Sequence, residues 1–411
     1  MKLNSKLRIW LAVFAMFGLI AAACGDDDTA APAEAPAEAP AEAPADAPAD
    51  APAEDPKAAG IAAAQAFIDP LLTDPTDLGI GGALASPVEP GKTFFWAECN
   101  FPVCSTIGDG IQEAGEAVGW DVVRVPYNPG NQDEVGSVML QGVDSGADFI
   151  GITGRPLSEF ETAADLAIER GVPIFDGYTV NPVEFDANSI YSCLGCEAYV
   201  DVGAAAISNW VIADSGGDAT ILVSTINDFP IINYFSGIVS DVYAANCPDC
   251  NVIFVEHSIQ NLLEGAIPGR LIAAIQENQD AQPLYLQYTF GDQSFGATAA
   301  IEEAGLLDSV KIVGGDPTTE NLGNLVSGKE AAWSGNPVYF VGWRFIDLAA
   351  RSLQGEDLNS LATSPLPTQI LLPDSAAVQV ALDEQATNGT ASPYVGVPGY
   401  KEVMLGLWGV G

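Results

Sequence analysis

From position 92 onward the chain alternates short, nearly continuous apolar runs with segments of helical spacing. The runs at 93–97, 121–125, 148–153 and 172–176 read as strands, as do those at 219–224, 252–256, 283–287 and 310–313. Strands that are apolar throughout are buried on both faces, which is the habit of parallel sheets. Between them, Ile107, Ile111, Ala114 and Val118 fall on one face of a helix over 108–118. The spacing predicts further helices over 132–145, 160–170, 199–212, 231–245, 269–276 and 295–304. Strand-helix alternation of this kind builds right-handed βαβ units. The implied fold class is α/β, with two Rossmann-like lobes that each hold a mostly parallel sheet. Ligands of open parallel sheets sit beyond the carboxyl ends of the strands, so a crevice between the lobes is the expected site.

Upstream the pattern changes twice. Ala-rich residues 58–72, with Phe67, Ile68 and Leu71, predict a short helix, and Pro70, Pro75, Pro87 and Pro90 then interrupt it. The span 58–90 therefore reads as a lead-in. Before it, residues 24–57 are acidic and then repeat Ala-Pro-Ala-Glu and Ala-Pro-Ala-Asp units. Such a composition cannot bury enough apolar surface to fold, and its prolines favour an extended tether rising roughly 3.1 Å per residue. At the start, Lys2, Lys6 and Arg8 precede an apolar stretch, then Ala21, Ala22, Ala23 and Cys24. The stretch falls short of the roughly 20 residues a spanning helix needs. Residues 1–23 are expected to be a lipoprotein signal peptide and Cys24 the lipidated residue. The protein would then be exported and anchored to the outer face of the cytoplasmic membrane.

Charge narrows the partners. The chain carries 14 Lys and Arg against 55 Asp and Glu, a net charge of −41, and loses cations with the leader. That field repels nucleic acid and anionic headgroups, so neither is an expected partner. The remaining cysteines fall in close pairs: Cys99 with Cys104, Cys193 with Cys196, and Cys247 with Cys250. Six thiols allow fifteen pairings, of which local pairing is the simplest for an exported chain. Zinc held by the two Cys-x2-Cys units is the alternative. His257 is the only histidine, and no nucleophile elbow, phosphate loop or metal-type His pair is present. Neither a catalytic activity nor a cofactor or metal is expected.

Several segments, in this order, resemble one family. They are 148–152 (DFIGI), 171–176 (GVPIFD), 294–297 (SFGA) with 303–305 (EAG), 313–316 (VGGD), and the helical span from Val341-Gly342 to 353–356 (LQGE). The chain is similar in them to the type I periplasmic substrate-binding proteins of ABC importers, in the sugar-binding branch. The resemblance implies lobe one over 91–190 plus 337–365, lobe two over 191–336 plus 366–411, and a three-strand hinge that closes over ligand. It implies a monomeric receptor that hands a small molecule, a sugar by preference, to a membrane permease. A nucleoside or aromatic ligand, or a sensor feeding a membrane kinase, is the alternative.

The resemblance also indicates ligand-binding positions at the strand ends. In lobe one these are Asn100 and Phe101, Thr153 and Arg155, and Asp176 and Tyr178. In lobe two they are Asn227, Asp228 and Asn233, then Phe290 and Asp292, then Asp316, with Asn336 on a crossover. Asp316 is the strongest, since a carboxylate there can accept two hydroxyl hydrogen bonds; its competing role is the N-cap of the following helix. Arg155 would meet either ligand or a neighbouring acid. Tyr178-Thr179 and Phe290-Gly291-Asp292 replace the polar pairs usual in sugar receptors, which leaves room for a more apolar ligand. The Cys99–Cys104 loop would stand at the cleft mouth.

Overall fold

Parallel strands dominate two separate sheets. This computed structural model describes residues 55–180, 191–194, 196–388 and 394–410. The first sheet has the order β2-β1-β3-β4-β5, with β1 Thr93–Cys99, β2 Asp121–Tyr127, β3 Phe149–Thr153, β4 Ile174–Gly177 and β5 Tyr191–Leu194. All of its pairings are parallel. The second has the order β11-β10-β9-β8-β6-β7. Its members are β6 Thr220–Ile226, β7 Asn251–His257, β8 Leu284–Tyr288, β9 Lys311–Gly315, β10 Ala332–Gly335 and β11 Gln369–Leu371. Only the edge pair β10–β11 is antiparallel among the described strands.

The first strand of each sheet, β1 and β6, lies inside it, flanked on one side by the second strand and on the other by the third. Chain direction reverses there, which opens a crevice beyond the strand ends. The expected helices form with small changes of boundary. Pro102 and Pro230 start two of them early, at Pro102–Ala117 and Pro230–Asn246, because proline's fixed φ suits the first helical turn. The short strands β5, β10 and β11 and the helix Ala376–Asn388 carry too little periodicity to read from sequence, and the helix Thr319–Val326 is amphipathic but short.

Three segments tie the sheets together. The helix Val338–Leu353 leaves β10 and packs on Pro102–Ala117 of the first sheet. Gly110 makes that approach possible: a Cβ there would stand 2.2 Å from the Tyr339 carbonyl oxygen. The chain then returns to β11. The final helix Tyr400–Leu407 goes back to the first half, where Tyr400 meets Phe340 and Trp343 edge-on and the Trp408 indole donates to Asp347 Oδ1 at 2.8 Å. The tail is thus divided between the halves, and β5 lies just beyond the boundary expected at 190. The lead-in helix Pro56–Ile68 packs on the helices Cys196–Ser215 and Pro230–Asn246 of the second half. Farther along, Leu84 and Val88 donate backbone bonds to Leu407 and Trp408.

Cys99–Cys104 and Cys247–Cys250 are disulfides, so these thiols are not available to zinc. Cys24 and the side chains of Cys193 and Cys196 lie outside the described residues, as do the signal peptide and tether. No described helix is long and apolar enough to cross a membrane.

Candidate ligand-binding site

Two cavities adjoin where the strand ends of the two sheets face each other. The larger, about 110 Å³, is lined by Phe101, Val103, Thr153 and Tyr178 from the first half, and from the second by Phe229, Ile231, Ile232, Phe235, Thr289, Phe290 and Asp316 with Tyr199 and Val200. The Cys99–Cys104 disulfide completes one wall. The smaller, about 90 Å³, has Asp292, Asp316 and the threonines 106, 318 and 319. Val103, Phe290 and Asp316 line both.

Local sequence places the walls. Phe101 and Phe229 each occupy the N-cap of a helix whose first residue is proline, and both backbones are extended. Proline forces that conformation on the residue before it, so a Phe-Pro pair aims one ring at a fixed angle from the helix end. The two rings meet edge-on with centroids 6.3 Å apart, joining the halves across the cavity. The Val103 N–H donates to Asp292 Oδ2 at 3.3 Å and bridges them again.

Asp316 just past β9 has a left-handed backbone, φ 53°, and Tyr178 just past β4 has φ 52°. Non-glycine residues seldom hold that conformation, and it tends to cluster at ligand clamps. Gly291 allows the neighbouring loop to approach: its N–H donates to the Asp316 carbonyl at 3.0 Å, and a Cβ there would lie 2.2 Å from the same oxygen. The Tyr199 hydroxyl donates to Asp316 Oδ1, and Asn336 Nδ2 donates to Tyr178 Oη at 2.7 Å. Asn336 is fully buried and its Oδ1 has no partner. Burial lifts the Asp316 carboxyl to about 7; bonds from Tyr199 and Asn336 oppose the rise and the Asp292 charge adds to it. Burial likewise lifts Asp292 to about 6, against the Val103 N–H. No lysine, arginine or histidine lines either cavity.

No protein-family model matches the chain, and no curated protein is similar to it in sequence. Solved structures do match. The 5-methylthioribose transporter solute-binding protein from Thermotoga lettingae TMO, with 5-methylthioribose bound, superposes at a TM-score of 0.62 and 16% identity, over 79% of this chain and 99% of that one. A galactofuranose-binding protein gives 0.61 and 16%, over 73% and 100%. The periplasmic binding protein of the arabinose ABC transporter from Shewanella sp. ANA-3 gives 0.60 and 15%, over 72% and 97%. The fold is that of a type I periplasmic binding protein.

Within this periplasmic-binding-protein fold, the strand-end residues named from sequence separate into two groups. Phe101, Thr153, Tyr178, Phe290, Asp292 and Asp316 line the cavities, and Asn336 stands behind Tyr178. The others do not line them. Asn100 is exposed, and its N–H donates to the Tyr127 carbonyl. Arg155 is buried against Glu159, Nε to Oε2 2.6 Å, with its guanidinium 5.6 Å from the Phe229 ring centre. Asp176 is buried near that ion pair. Asn227, Asp228 and Asn233 are exposed and hold one another's loops: Asn233 Nδ2 donates to the Asn227 carbonyl, and Asp228 Oδ2 accepts the Ile259 N–H at 2.7 Å. The N-cap of the helix after Asp316 is Thr318, which leaves the Asp316 carboxylate uncommitted to that duty. Sequence reading did not find Tyr199, Phe229, Ile231, Ile232, Phe235 and Thr289. Phe229 was findable, because Phe229-Pro230 after β6 repeats Phe101-Pro102 after β1.

Proposed function

We propose that this protein is an extracytoplasmic solute-binding lipoprotein, held by a lipid on Cys24. It captures a small molecule between two lobes and delivers it to an ABC permease. The carrying observation is the cavity itself: its walls come from strand ends of both sheets, and the halves touch across it through Phe101–Phe229 and Val103–Asp292. The first sheet with the helices Val338–Leu353 and Tyr400–Leu407 forms one lobe and the second sheet with its helices the other, and the crossovers between them are the hinge. Closure then places a ligand under bonds from both sides, so binding favours the closed form.

A sugar is the first ligand class, supported by three solved proteins of this fold whose names specify 5-methylthioribose, galactofuranose and arabinose. The walls favour a sugar with an apolar face, since Phe101, Phe229, Phe235 and Phe290, with Val103, Val200, Ile231 and Ile232, outnumber the polar groups. That same lining supports a nucleoside or aromatic compound as the second reading. Nothing in the site points to bond-breaking chemistry. A thermal-shift screen of the purified protein against sugars, polyols, nucleosides and small aromatics tests the proposal. A ligand at 100 times its dissociation constant should add about 2.7 kcal/mol to stability. Absence of stabilisation by any class would overturn the receptor reading.

A further inference from the structure

The buried polar atom left without a partner at this site is an acceptor, Asn336 Oδ1, and two buried acids, Asp292 and Asp316, share the site with it. Asp292 and Asp316 form no ion pair among the described residues, and the lining of both cavities contains no basic side chain. The other ionisable or polar groups facing Asp316 are Tyr178, Tyr199 and Asn336, and none supplies positive charge. Two arginines lie nearby but line neither cavity: Arg155 is committed to Glu159, and Arg344, whose charge reaches Tyr178, donates to the Leu361 carbonyl. Around the acids stand the rings of Phe101, Tyr178, Tyr199, Phe229, Phe235 and Phe290. Aromatic faces attract cations, most strongly where water is excluded.

We infer that the ligand is an organic cation, a protonated amine whose head lies against Asp316 and Asp292 and whose body fills the aromatic chamber. This rests on the receptor reading and narrows it, and an aminated sugar satisfies both. Size puts the head at that place. Each cavity alone is smaller than the roughly 150 Å³ apolar cavity that takes up benzene, so a ligand as large as a monosaccharide spans both. Asp316 stands at the junction. With a neutral ligand the two buried acids could be relieved only by taking up protons, because two like charges without a counter-charge are costly in a low-dielectric site. An ammonium supplies the missing charge, together with hydrogen-bond donors for the acid oxygens. The net charge of −41 draws cations toward the cleft as well. The raised carboxyls agree: a cation would bind the ionised pair, so binding should strengthen as pH rises through 6 and 7.

The test compares amines with their hydroxyl twins by calorimetry on the purified protein: glucosamine with glucose, cyclohexylamine with cyclohexanol, and 2-phenylethylamine with 2-phenylethanol. At least one amine should bind roughly tenfold or more tightly than its twin, the margin of a charge-assisted over a neutral hydrogen bond. Its affinity should rise between pH 5 and pH 7, where the amine is still protonated and the acids ionise. Asp316→Asn, near-isosteric and checked for a single cooperative melting transition, should erase the preference. If it unfolds, Asp292→Asn serves the same purpose from the smaller cavity. Equal binding of the twins, or binding of hydroxyl compounds alone, overturns the cation and leaves the receptor standing. Silence from every compound of both series overturns both.

Discussion

Asp176 and Asp316 make an instructive pair. Each is an aspartate at the carboxyl end of a central strand, one in each sheet, and each comes from a motif of the same family resemblance. Asp176 is buried beside Arg155, whose charge opposes the rise that burial imposes on its carboxyl, while Glu159 adds to it. Asp316 has no such cation; its bonds come from Tyr199 and Asn336, and its carboxylate lines both cavities. One acid is part of a charge cluster behind the wall, and the other is available to a ligand. A strand-end carboxylate is therefore no guide to binding until its counter-charge is known.

The sharpest way to break this comparison is to remove the cation from the first site. Arg155→Ala should leave Glu159 largely buried and unpaired and cost about 3 kcal/mol of stability, read by chemical denaturation. A loss under 1 kcal/mol would mean that the Arg155 cluster does not hold the wall. At the second site, Asp316→Ala should weaken ligand binding by about 1.5–3 kcal/mol while changing stability far less. Unchanged affinity by titration calorimetry would remove Asp316 from the site.

pH separates the two acids further. The Asp316 carboxyl is raised in the folded state, from 3.8 to about 7, so the stability it contributes is complete below about 4 and lost as pH rises through 7. Asp292, raised to about 6, acts in the same sense. The melting temperature of the unliganded protein, relative to Asp316→Asn, should fall between pH 4 and pH 7. A difference constant across that window would show that Asp316 is solvated in the empty protein.

The smallest effects test the walls. Phe229→Leu keeps the apolar bulk but loses the edge-on contact with Phe101 and the face under Arg155, for about 0.5–1.5 kcal/mol of stability. Asn100→Ala, at an exposed strand end, should stay within about 0.5 kcal/mol in stability. An Asn100 effect larger than the Phe229 effect would reverse the assignment of wall and rim.

The candidate site was only half legible before folding. Phe101, Tyr178, Phe290, Asp292 and Asp316 were marked by position after a strand. The same rule also marked Asn227, Asp228 and Asn233, whose side chains lock the start of a helix instead. Tyr199 had no chance of being found, because it reaches Asp316 from the helix Cys196–Ser215 rather than from a loop.

What the sequence determined by itself was local in origin. Periodicity sets strand and helix, proline sets where two helices begin and which way Phe101 and Phe229 point, and close cysteine spacing allowed the two disulfides described here. Tertiary structure decided which strand-end groups face the cavities, which carboxylates meet a cation, and where the lead-in and the tail pack. Those outcomes depend on charges and surfaces brought together from distant parts of the chain. The charge of Arg155 reaches Asp176 and not Asp316 because of where two sheets bring their ends, and no window of residues contains that distance.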